Sequence, residues 1–394
     1  MRPFENLDVE EDKIRGIKEK LISYCKQNNL HPLDLTQGNP VGSISKDYAQ
    51  NMKALLDAEV SGNSLSNAYC SSVGHPDFLR AVADLEKRVN GLPFTDKHIL
   101  AVPGAAVGVS TLLYGLSEEK PEGEVLLLAP YFPPYAKYIE HNGLKPRIVD
   151  FDVDEEAILN SIKENISQDT RAMIINSPNN PSGHIYSKDF LEGLGKILRQ
   201  NDHVLLISDE PYRNIILPGE EMVPVLKNIN YENSAVVYSF SKEGRIAGSR
   251  IGYIALHPDF PDYRKVISAL ANSLPNRGIV QAPTREQFAL AKSNLPLDVD
   301  WSEMLNHMKG YFTIFSDLGF EVLPAKGGLF LSVKHPDYDG SEFHKRLLEK
   351  GVGTVPGVAF GIRDYIRLAI CAKDALGMNS LLIEDRFKNI IKKS

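Results

Sequence analysis

The sequence has 394 residues, of which 43% are hydrophobic and 24% are charged. This length exceeds the ~100–200 residues of one domain, so we expect two domains, and the composition excludes a disordered or low-complexity protein. Its 44 Lys and Arg against 51 Asp and Glu give a net charge of −7, which offers no basic surface for nucleic acid. No apolar run reaches the ~18–20 residues of a membrane span, and the N-terminus has no apolar signal core.

The three cysteines are spread along the sequence as Cys25, Cys70 and Cys371, with no CxxC pair. An odd number of isolated cysteines argues against a disulfide scaffold or a zinc knuckle, and no other cluster of metal-ligand residues is evident. Such cysteine usage is typical of a reducing compartment. We therefore expect a cytoplasmic protein that holds no metal ion.

Short apolar runs rich in Val, Ile and Leu alternate with longer amphipathic stretches as far as residue 282. This alternation predicts a parallel sheet whose two faces are covered by helices. Beyond it, long amphipathic stretches with short apolar runs between them predict a smaller α+β domain. In chain order the predicted elements are helix 11–27, strand 124–129, helices 131–142 and 155–165, strand 172–177, helix 187–201, strands 203–208, 235–240 and 251–256, helix 300–318, strands 319–323, 328–333 and 365–370, and helix 373–391.

The same rhythm divides the sequence into three parts. Residues 45–282 are expected to form the large domain, and residues 283–394 the small one. Residues 1–44 carry a predicted helix but none of the sheet-building rhythm, so we expect this segment to pack with the small domain.

Open parallel sheets bind ligands in the loops beyond the carboxyl ends of their strands, so these loops carry the most functional information. One candidate is PGAAVG (103–108), which precedes an amphipathic stretch. Gly104 permits a tight backbone, and the amides of Ala105 and Ala106 would then face an anion at a helix start. Ordinary turns before helices share this pattern, so by itself it leaves both interpretations open.

Two further loops follow predicted strands. SPNNPSG (177–183) is made rigid by its prolines, and Asn180 either shapes a tight connection or donates a hydrogen bond to a ligand. SDEPY (208–212) places Asp209 at a strand end, where it either caps a helix or shares a ligand-binding face with Tyr212. Each motif alone is compatible with a purely structural role.

The stretch SFSKEGRIAGSRIGY (239–253) follows a very apolar predicted strand. Lys242 would be partly desolvated there, which lowers its pKa and suits it to form a Schiff base. With a strand-end acid, hydroxyls, an arginine and a helix start, this lysine supplies what pyridoxal phosphate requires: an amine for the aldehyde, an acid for the ring nitrogen and donors for the phosphate. The clustered polar residues of this stretch are Ser239, Ser241, Lys242 and Arg250.

These motifs together resemble the class I/II aminotransferases of the fold-type I pyridoxal-phosphate-dependent superfamily. The resemblance covers nearly the whole chain, and the motifs occur in the family's order. It implies an α/β fold with a mostly parallel seven-stranded sheet between helices, plus a smaller α+β domain. The motifs are LTQGNPVG (35–42), YCSSVGHPDFLRAVA (69–83), PGAAVG, APYFPPY (129–135), SPNNPSG, SDEPY, SFSK…AGSRIGY, GVGTVPGVAFG (351–361) and YIRLAIC (365–371).

The resemblance implies a role for each residue around the cofactor ring. Lys242 forms the internal aldimine and then moves the proton between the substrate Cα and the cofactor C4′. Asp209 keeps the pyridine nitrogen protonated, so that the ring can withdraw electrons. Asn180 and Tyr212 hydrogen-bond the phenolic oxygen, and Phe132 stacks on the ring.

The resemblance also assigns residues to the substrate and to a second subunit. Arg367 holds the substrate α-carboxylate, and Gly38 belongs to a mobile N-terminal strand that closes over it. Asn180 also belongs to the implied substrate-binding set. Tyr69 reaches the phosphate from the neighbouring subunit, which implies an obligate homodimer with shared sites. The remaining implied phosphate-binding residues are Gly104, Ala105, Ala106, Ser239, Ser241 and Arg250.

The implied activity moves the amino group of an L-amino acid to a 2-oxo acid through the Lys242 aldimine and a quinonoid intermediate. Lyases, cyclising enzymes, decarboxylases and oxidases share this electron sink, so they remain alternatives. A non-catalytic ligand sensor is less favoured, because the first forty residues are too short for an added DNA-binding domain. The pattern does not identify the amino donor or acceptor.

Two arginines have no assigned role. Arg245 lies between Lys242 and Arg250, and we expect it to be a solvated loop residue. Arg277 lies in NSLPNRGIVQAP (272–283), where the resembled family often places residues that reach the partner subunit's site and recognise the substrate side chain. The resemblance therefore leaves open a contact between Arg277 and an acidic substrate side chain.

Overall fold

The computed structural model describes residues 15–376 and 379–391. Residues 11–14 of the predicted first helix and residues 377–378 of the predicted last helix lie outside this part of the chain. The chain divides into two compact units. The larger unit comprises Pro40–Leu305 and Pro324–Leu329, and the smaller unit comprises the described parts of Met1–Asn39, Asn306–Leu323 and Phe330–Ser394.

The α-helices of the described residues are α1 (Arg15–Asn28), α2 (Lys46–Val60), α3 (Pro76–Asn90), α4 (Ala105–Glu119), α5 (Pro134–His141), α6 (Glu155–Asn165), α7 (Lys188–Arg199), α8 (Val225–Ile229), α9 (Phe240–Glu243), α10 (Tyr263–Asn276), α11 (Thr284–Ala291), α12 (Ser302–Asp317), α13 (Gly340–Glu349) and α14 (Asn379–Ile391). The strands are β1 (Leu33–Asp34), β2 (Ile99–Val102), β3 (Glu124–Leu128), β4 (Lys145–Val149), β5 (Thr170–Asn176), β6 (Leu205–Asp209), β7 (Ser234–Ser239), β8 (Gly252–Leu256), β9 (Glu321–Val322), β10 (Phe330–Lys334), β11 (Val352–Gly353), β12 (Val355–Pro356) and β13 (Tyr365–Ala369).

The larger unit contains a seven-stranded sheet in the order β2-β8-β7-β6-β5-β3-β4. Strand β8 runs antiparallel to both of its neighbours, and every other neighbouring pair is parallel. The predicted α/β fold with a mostly parallel seven-stranded sheet is therefore confirmed.

Both faces of this sheet are buried over its other six strands, because successive side chains of every strand except the edge strand β4 enter two different hydrophobic cores. In β5, Met173 and Ile175 belong to one core, and Ala172 and Ile174 belong to the other. Helices α2, α3, α7 and α8 contribute to the first core, and α4, α5 and α10 contribute to the second. This burial explains why the central strands read as uninterrupted apolar runs.

The smaller unit has an antiparallel sheet in the order β12-β13-β10-β9, and its strands β1 and β11 form a separate parallel pair. Its helices bring together a cluster of aromatic rings. The ring centroids of Phe315 and Phe387 lie 4.4 Å apart, and those of Phe320 and Phe343 lie 5.3 Å apart. This unit has the α+β character that the change of rhythm predicts.

Two strands of the large sheet escape prediction from the sequence. The edge strand β4 reads KPRIV and is largely exposed, so it lacks the apolar run of a central strand and carries a proline that only an edge tolerates. Strand β2 is buried but has only four residues. Within the described residues, no helix is long and apolar enough to cross a membrane.

The predicted domain boundaries at 44/45 and 282/283 stay a prediction. The compact units divide the chain at 39/40 and 305/306 and also place residues 324–329 with the larger unit. The boundary at 305/306 differs from the predicted 282/283 because α11 packs against α2 and α3 of the larger unit.

Candidate active site

Three neighbouring parallel strands of the larger unit end at the same edge of the sheet. Strands β5, β6 and β7 end at Asn176, Asp209 and Ser239. Asn176 pairs directly with Asp209, and Asp209 pairs with Val237 of β7. Because the carboxyl ends of parallel strands meet at one edge, the three polar motifs that follow these strands share one region.

Asp209 is a buried carboxylate with one oxygen engaged and one left without a donor. Its side chain is 6% exposed, and the Tyr135 hydroxyl donates a hydrogen bond to Oδ2 at 2.5 Å. Oδ1 is buried and has no hydrogen-bond partner among the described residues. Burial raises the pKa of Asp209 to about 7, against the Tyr135 hydrogen bond and the charge of Lys242, which both lower it. An acceptor left in this way is suited to a ligand that brings a donor.

The loop after β5 is held rigid by asparagine side chains. Asn176 accepts a hydrogen bond at 2.7 Å from the backbone N–H of Asn180 and donates one at 2.7 Å to the carbonyl of Asp209. Asn179 donates a hydrogen bond to the carbonyl of Pro130 at 2.9 Å. Asn176 therefore joins two residues that the sequence singles out, Asn180 and Asp209.

Lys242 lies in α9, the short helical turn that follows β7. The Ser239 hydroxyl caps this turn by accepting a hydrogen bond from the Ser241 N–H at 3.2 Å. Lys242 is half-buried, whereas its neighbours Ser241 and Glu243 are buried. Its charge acts on Asp209, so the structure brings the amine and the carboxylate into one electrostatic environment.

Aromatic residues lie close to Asp209. The rings of Phe132 and Tyr135 meet edge to face, with centroids 5.4 Å apart. Tyr212 is buried, and its charge raises the pKa of Tyr135 after the larger effect of burial and the effects of Asp209. Phe132 and Tyr212 therefore lie in the same cluster as Tyr135 and Asp209.

A second cluster lies at the start of α4. Gly104 caps this helix with a left-handed φ of +88°, and a Cβ at this position would lie 2.7 Å from Nη2 of Arg250. The Arg250 guanidinium donates hydrogen bonds to the carbonyls of Pro103 at 3.2 Å and Ala247 at 2.9 Å, and to the Ser241 hydroxyl at 3.3 Å. Within the described residues, no carboxylate neutralises it.

The first-turn amides of α4, at Ala105 and Ala106, have no acceptor within their own helix. Ser239 belongs to the same cluster, because its hydroxyl donates to the Ser241 hydroxyl at 2.8 Å. A helix N-terminus beside an exposed arginine and two serines is suited to a phosphate dianion.

The smaller unit holds two predicted site residues, Arg367 and Gly38. Arg367 of β13 is 3% exposed, and its guanidinium carbon lies 4.5 Å from the ring centroid of Phe330 and 4.8 Å from that of Phe360. Arg367 also donates a hydrogen bond to the carbonyl of Thr36. A Cβ at Gly38 would collide with the Phe330 ring, so Gly38 and Arg367 both contact this ring.

The structure of the single chain leaves Tyr69 apart from these clusters. Its side chain is 83% exposed and makes no hydrogen bond or ring contact with any other described residue. Arg245 lies in a loop, where it is half-exposed and its guanidinium stacks on Trp301. Arg277 donates to the hydroxyls of Ser110 and Thr111 at 2.5 and 3.3 Å.

Residues 31–382 match the family described as aminotransferase class I and II, which is most of the chain. The chain belongs to this family. It is therefore a pyridoxal-phosphate-dependent aminotransferase that acts on an amino acid and a 2-oxo acid, as the sequence predicts, and the lyase, cyclase, decarboxylase and oxidase alternatives are not favoured. The region that the structure describes contains no group of three or more His, Cys, Asp or Glu residues arranged to hold a metal ion.

This aminotransferase is similar to several curated proteins. It is 29% identical to the aspartate aminotransferase of Bacillus subtilis over 341 residues, which are 80% of this chain and 82% of the relative. It is 28% identical over 379 residues to the (5-formylfuran-3-yl)methyl phosphate transaminase of Methanocaldococcus jannaschii, covering 93% and 92% of the two chains.

Solved structures share the fold of this aminotransferase. An amino transferase from Eubacterium rectale superposes with a TM-score of 0.89 at 24% identity, covering 98% of this chain and 97% of the other. The aspartate aminotransferase from Thermus thermophilus with maleate gives a TM-score of 0.82 at 22% identity, covering 97% of both chains.

The residues present fit pyridoxal phosphate in two independent respects. The buried Oδ1 of Asp209 provides an acceptor for a protonated ring nitrogen, and Arg250 beside the start of α4 provides donors for a phosphate. Sequence reasoning missed Tyr135 and Asn176, which hold Asp209 from two sides. The available signals were a tyrosine three residues after Phe132 and a polar residue at the end of an apolar strand.

Replacing Tyr135 with Phe is expected to weaken binding of pyridoxal phosphate by about ten- to hundredfold, which is the usual effect of a lost hydrogen bond to a charged group. The Tyr135 hydrogen bond lowers the pKa of Asp209, so without it the carboxyl holds its proton to a higher pH. The dissociation constant should therefore increase most at low pH. Cofactor titration at several pH values measures this change.

Tyr138→Phe is the matched control. Tyr138 lies on the same helix, α5, and its pKa is raised by burial and by the charge of Asp209. Unlike Tyr135, it donates no hydrogen bond to Asp209. Equal dissociation constants for the Tyr135 and Tyr138 variants at every pH would contradict the assignment of Tyr135.

Proposed function

We propose that Lys242 carries pyridoxal phosphate and that Asp209 binds its ring nitrogen. The single observation that carries this proposal is the buried Oδ1 of Asp209, which has no donor among the described residues, within the field of the half-buried Lys242. Phe132 is proposed to stack on the ring, and Asn180 and Tyr212 to bind its phenolic oxygen. The phosphate is proposed to bind the Gly104 turn, the Ala105 and Ala106 amides, Ser239, Ser241 and Arg250.

Pyridoxal phosphate supplies an aldehyde for amines and a ring that withdraws electrons from the substrate α-carbon. In our proposal Nζ of Lys242 takes the proton from that carbon and later returns one. The Tyr135 hydrogen bond and the charge of Lys242 favour the ionised form of Asp209 against the effect of burial, and this carboxylate would keep a proton on the ring nitrogen.

We propose that Arg367 binds the α-carboxylate of the amino acid, with Gly38 in the segment beside it. The contacts of the Arg367 guanidinium with the rings of Phe330 and Phe360 support this role. They fix the plane of the guanidinium for two parallel hydrogen bonds to a carboxylate. Aspartate is the first donor to test, since the Bacillus subtilis relative is named an aspartate aminotransferase.

We also propose that the enzyme is a cytoplasmic homodimer in which Tyr69 reaches the phosphate bound by the partner. The exposed side chains of Val60, Leu65 and Tyr69, at 90%, 77% and 83%, support an association surface in the larger unit. The free cysteines Cys25, Cys70 and Cys371 support a reducing compartment.

Two measurements on the loaded enzyme test the proposed function. An amino donor added alone should move the cofactor absorbance to the near ultraviolet, and a 2-oxo acid added afterwards should restore it. Borohydride reduction followed by peptide mass analysis should find the cofactor attached to Lys242. Release of ammonia and a 2-oxo acid without an acceptor, or attachment at another lysine, would contradict the proposal.

A further inference from the structure

The residues that follow Lys242 adopt an unusual backbone. Arg245 has a φ of +54°, which is the left-handed region that favours glycine. Helix α9 has only four residues, Phe240–Glu243, so its own backbone hydrogen bonds cannot hold it rigid. Contacts from elsewhere must therefore keep the turn in place.

Arg245 is held on three sides within the larger unit. Its guanidinium carbon lies 4.2 Å from the centroid of the Trp301 ring, which is a cation–π contact. Nη2 donates to the carbonyl of Asp300 at 2.8 Å, and Nη1 donates to the carbonyl of Ser43 at 3.3 Å. Gly42 makes room for it, since a Cβ there would lie 2.8 Å from Nη1. These contacts account for a strained residue in place of a glycine.

Glu243 is held from the other end of the turn. Its side chain is buried at 1% exposure and receives a hydrogen bond from Nδ2 of Asn214. The indole Nε1 of Trp301 donates to the backbone carbonyl of Glu243 at 3.3 Å. Trp301 therefore contacts both Glu243 and Arg245, one on each side of Gly244.

We propose that Glu243, Arg245 and Trp301 are positioning residues that fix the backbone of the Lys242 turn. This inference rests on the proposed attachment of the cofactor to Lys242. Proton transfer by Lys242 requires its Nζ to occupy one defined position after the amine is released from the cofactor. A fixed backbone limits the positions that Nζ can take. The three residues together are named the turn clamp.

Two substitutions separate the side chain of Arg245 from its backbone strain. Arg245→Ala removes the clamp contacts and keeps a side chain in the left-handed region, whereas Arg245→Gly removes the contacts and relieves the strain. Both variants should lower kcat by about ten- to hundredfold, the usual effect of a small misplacement of a catalytic group, with KM little changed. Arg264→Ala is the matched control, since Arg264 makes an exposed contact with the Tyr263 ring at 5.7 Å.

Trp301 supplies a readout that is independent of activity. It is the only tryptophan of the 394 residues, so the emission of the cofactor-free protein reports directly on the turn clamp. Both Arg245 variants should shift this emission and should also shift the pH at which the cofactor absorbance titrates in the loaded enzyme. The Arg264 variant should match the native protein in every measurement.

The outcomes distinguish this inference from the proposed function. Borohydride labelling of Lys242 in the native enzyme, with lower kcat and shifted titration in both Arg245 variants, would support the turn clamp. Labelling in all proteins with unchanged kcat and titration would overturn the clamp alone. Native kinetics in Arg245→Gly beside impaired kinetics in Arg245→Ala would also overturn it, because strain in the Ala variant would then explain the loss. Absence of labelling in the native enzyme would overturn both proposals.

Discussion

Replacing Lys242 with Ala is expected to reduce amino transfer by at least the roughly 10²–10⁴-fold that general acid–base catalysis contributes. The variant loses both the amine that attaches the cofactor and the group that moves the α-proton. It should still bind pyridoxal phosphate, because the Arg250 cluster and Asp209 remain. Single-turnover absorbance changes with an amino donor measure the loss, and cofactor titration measures the retained binding.

Two further variants define the cause of the loss. Lys242→Arg keeps a positive charge in the field of Asp209 but provides no attachable amine, so it should be as inactive as the Ala variant. Lys227→Ala removes an exposed lysine of α8 and should behave as the native enzyme. Substantial turnover by Lys242→Arg would show that charge alone suffices and would contradict the assignment of Lys242.

Replacing Asp209 with Asn is expected to lower kcat by about 10²–10³-fold, the usual effect of removing one electrostatic partner of the reacting centre. Asn can occupy the same space and hydrogen-bond Tyr135, but it carries no negative charge to keep a proton on the ring nitrogen. Steady-state kinetics with saturating cofactor measures this effect. Asp298→Asn, at an exposed position of the same unit, is the control.

The same substitution should change the pH dependence of stability in the cofactor-free protein. Burial raises the pKa of Asp209 from an ordinary value of 3.8 to about 7, so between these values the folded chain holds a proton that the unfolded chain has released. The free energy of unfolding therefore decreases as the pH rises through this range. Asp209→Asn should remove this contribution to the slope, as urea denaturation at several pH values would reveal. An identical slope in both proteins would contradict the assigned burial of the charge.

Much of the fold could be predicted from the sequence because buried segments consist mainly of apolar residue types. The strands β3, β5, β6, β7 and β8 are apolar throughout, since cores lie on both faces of their sheet. The edge strand β4 has no such apolar run, because its exposure to solvent permits Lys, Pro and Arg. The compact units divide the chain at 305/306 and not at 282/283, because α11 packs against α2 and α3, and such packing depends on distant partners.

The chemistry of the site divides in the same way. Lys242, Asp209, Asn180 and Arg250 stand out in the sequence because each occurs in a short motif after a strand, where local residue types suffice to indicate a ligand. Asn176 and Trp301 stand in no such motif, and Tyr135 ends the motif APYFPPY with no role that local residue types indicate. Their importance arises from contacts across 74, 33 and 58 positions of the sequence, to Asp209 and to Glu243. Residue types and their order thus identified the family and its reactive groups, whereas the side chains that hold those groups in place were decided by packing, because it joins residues that are far apart along the chain.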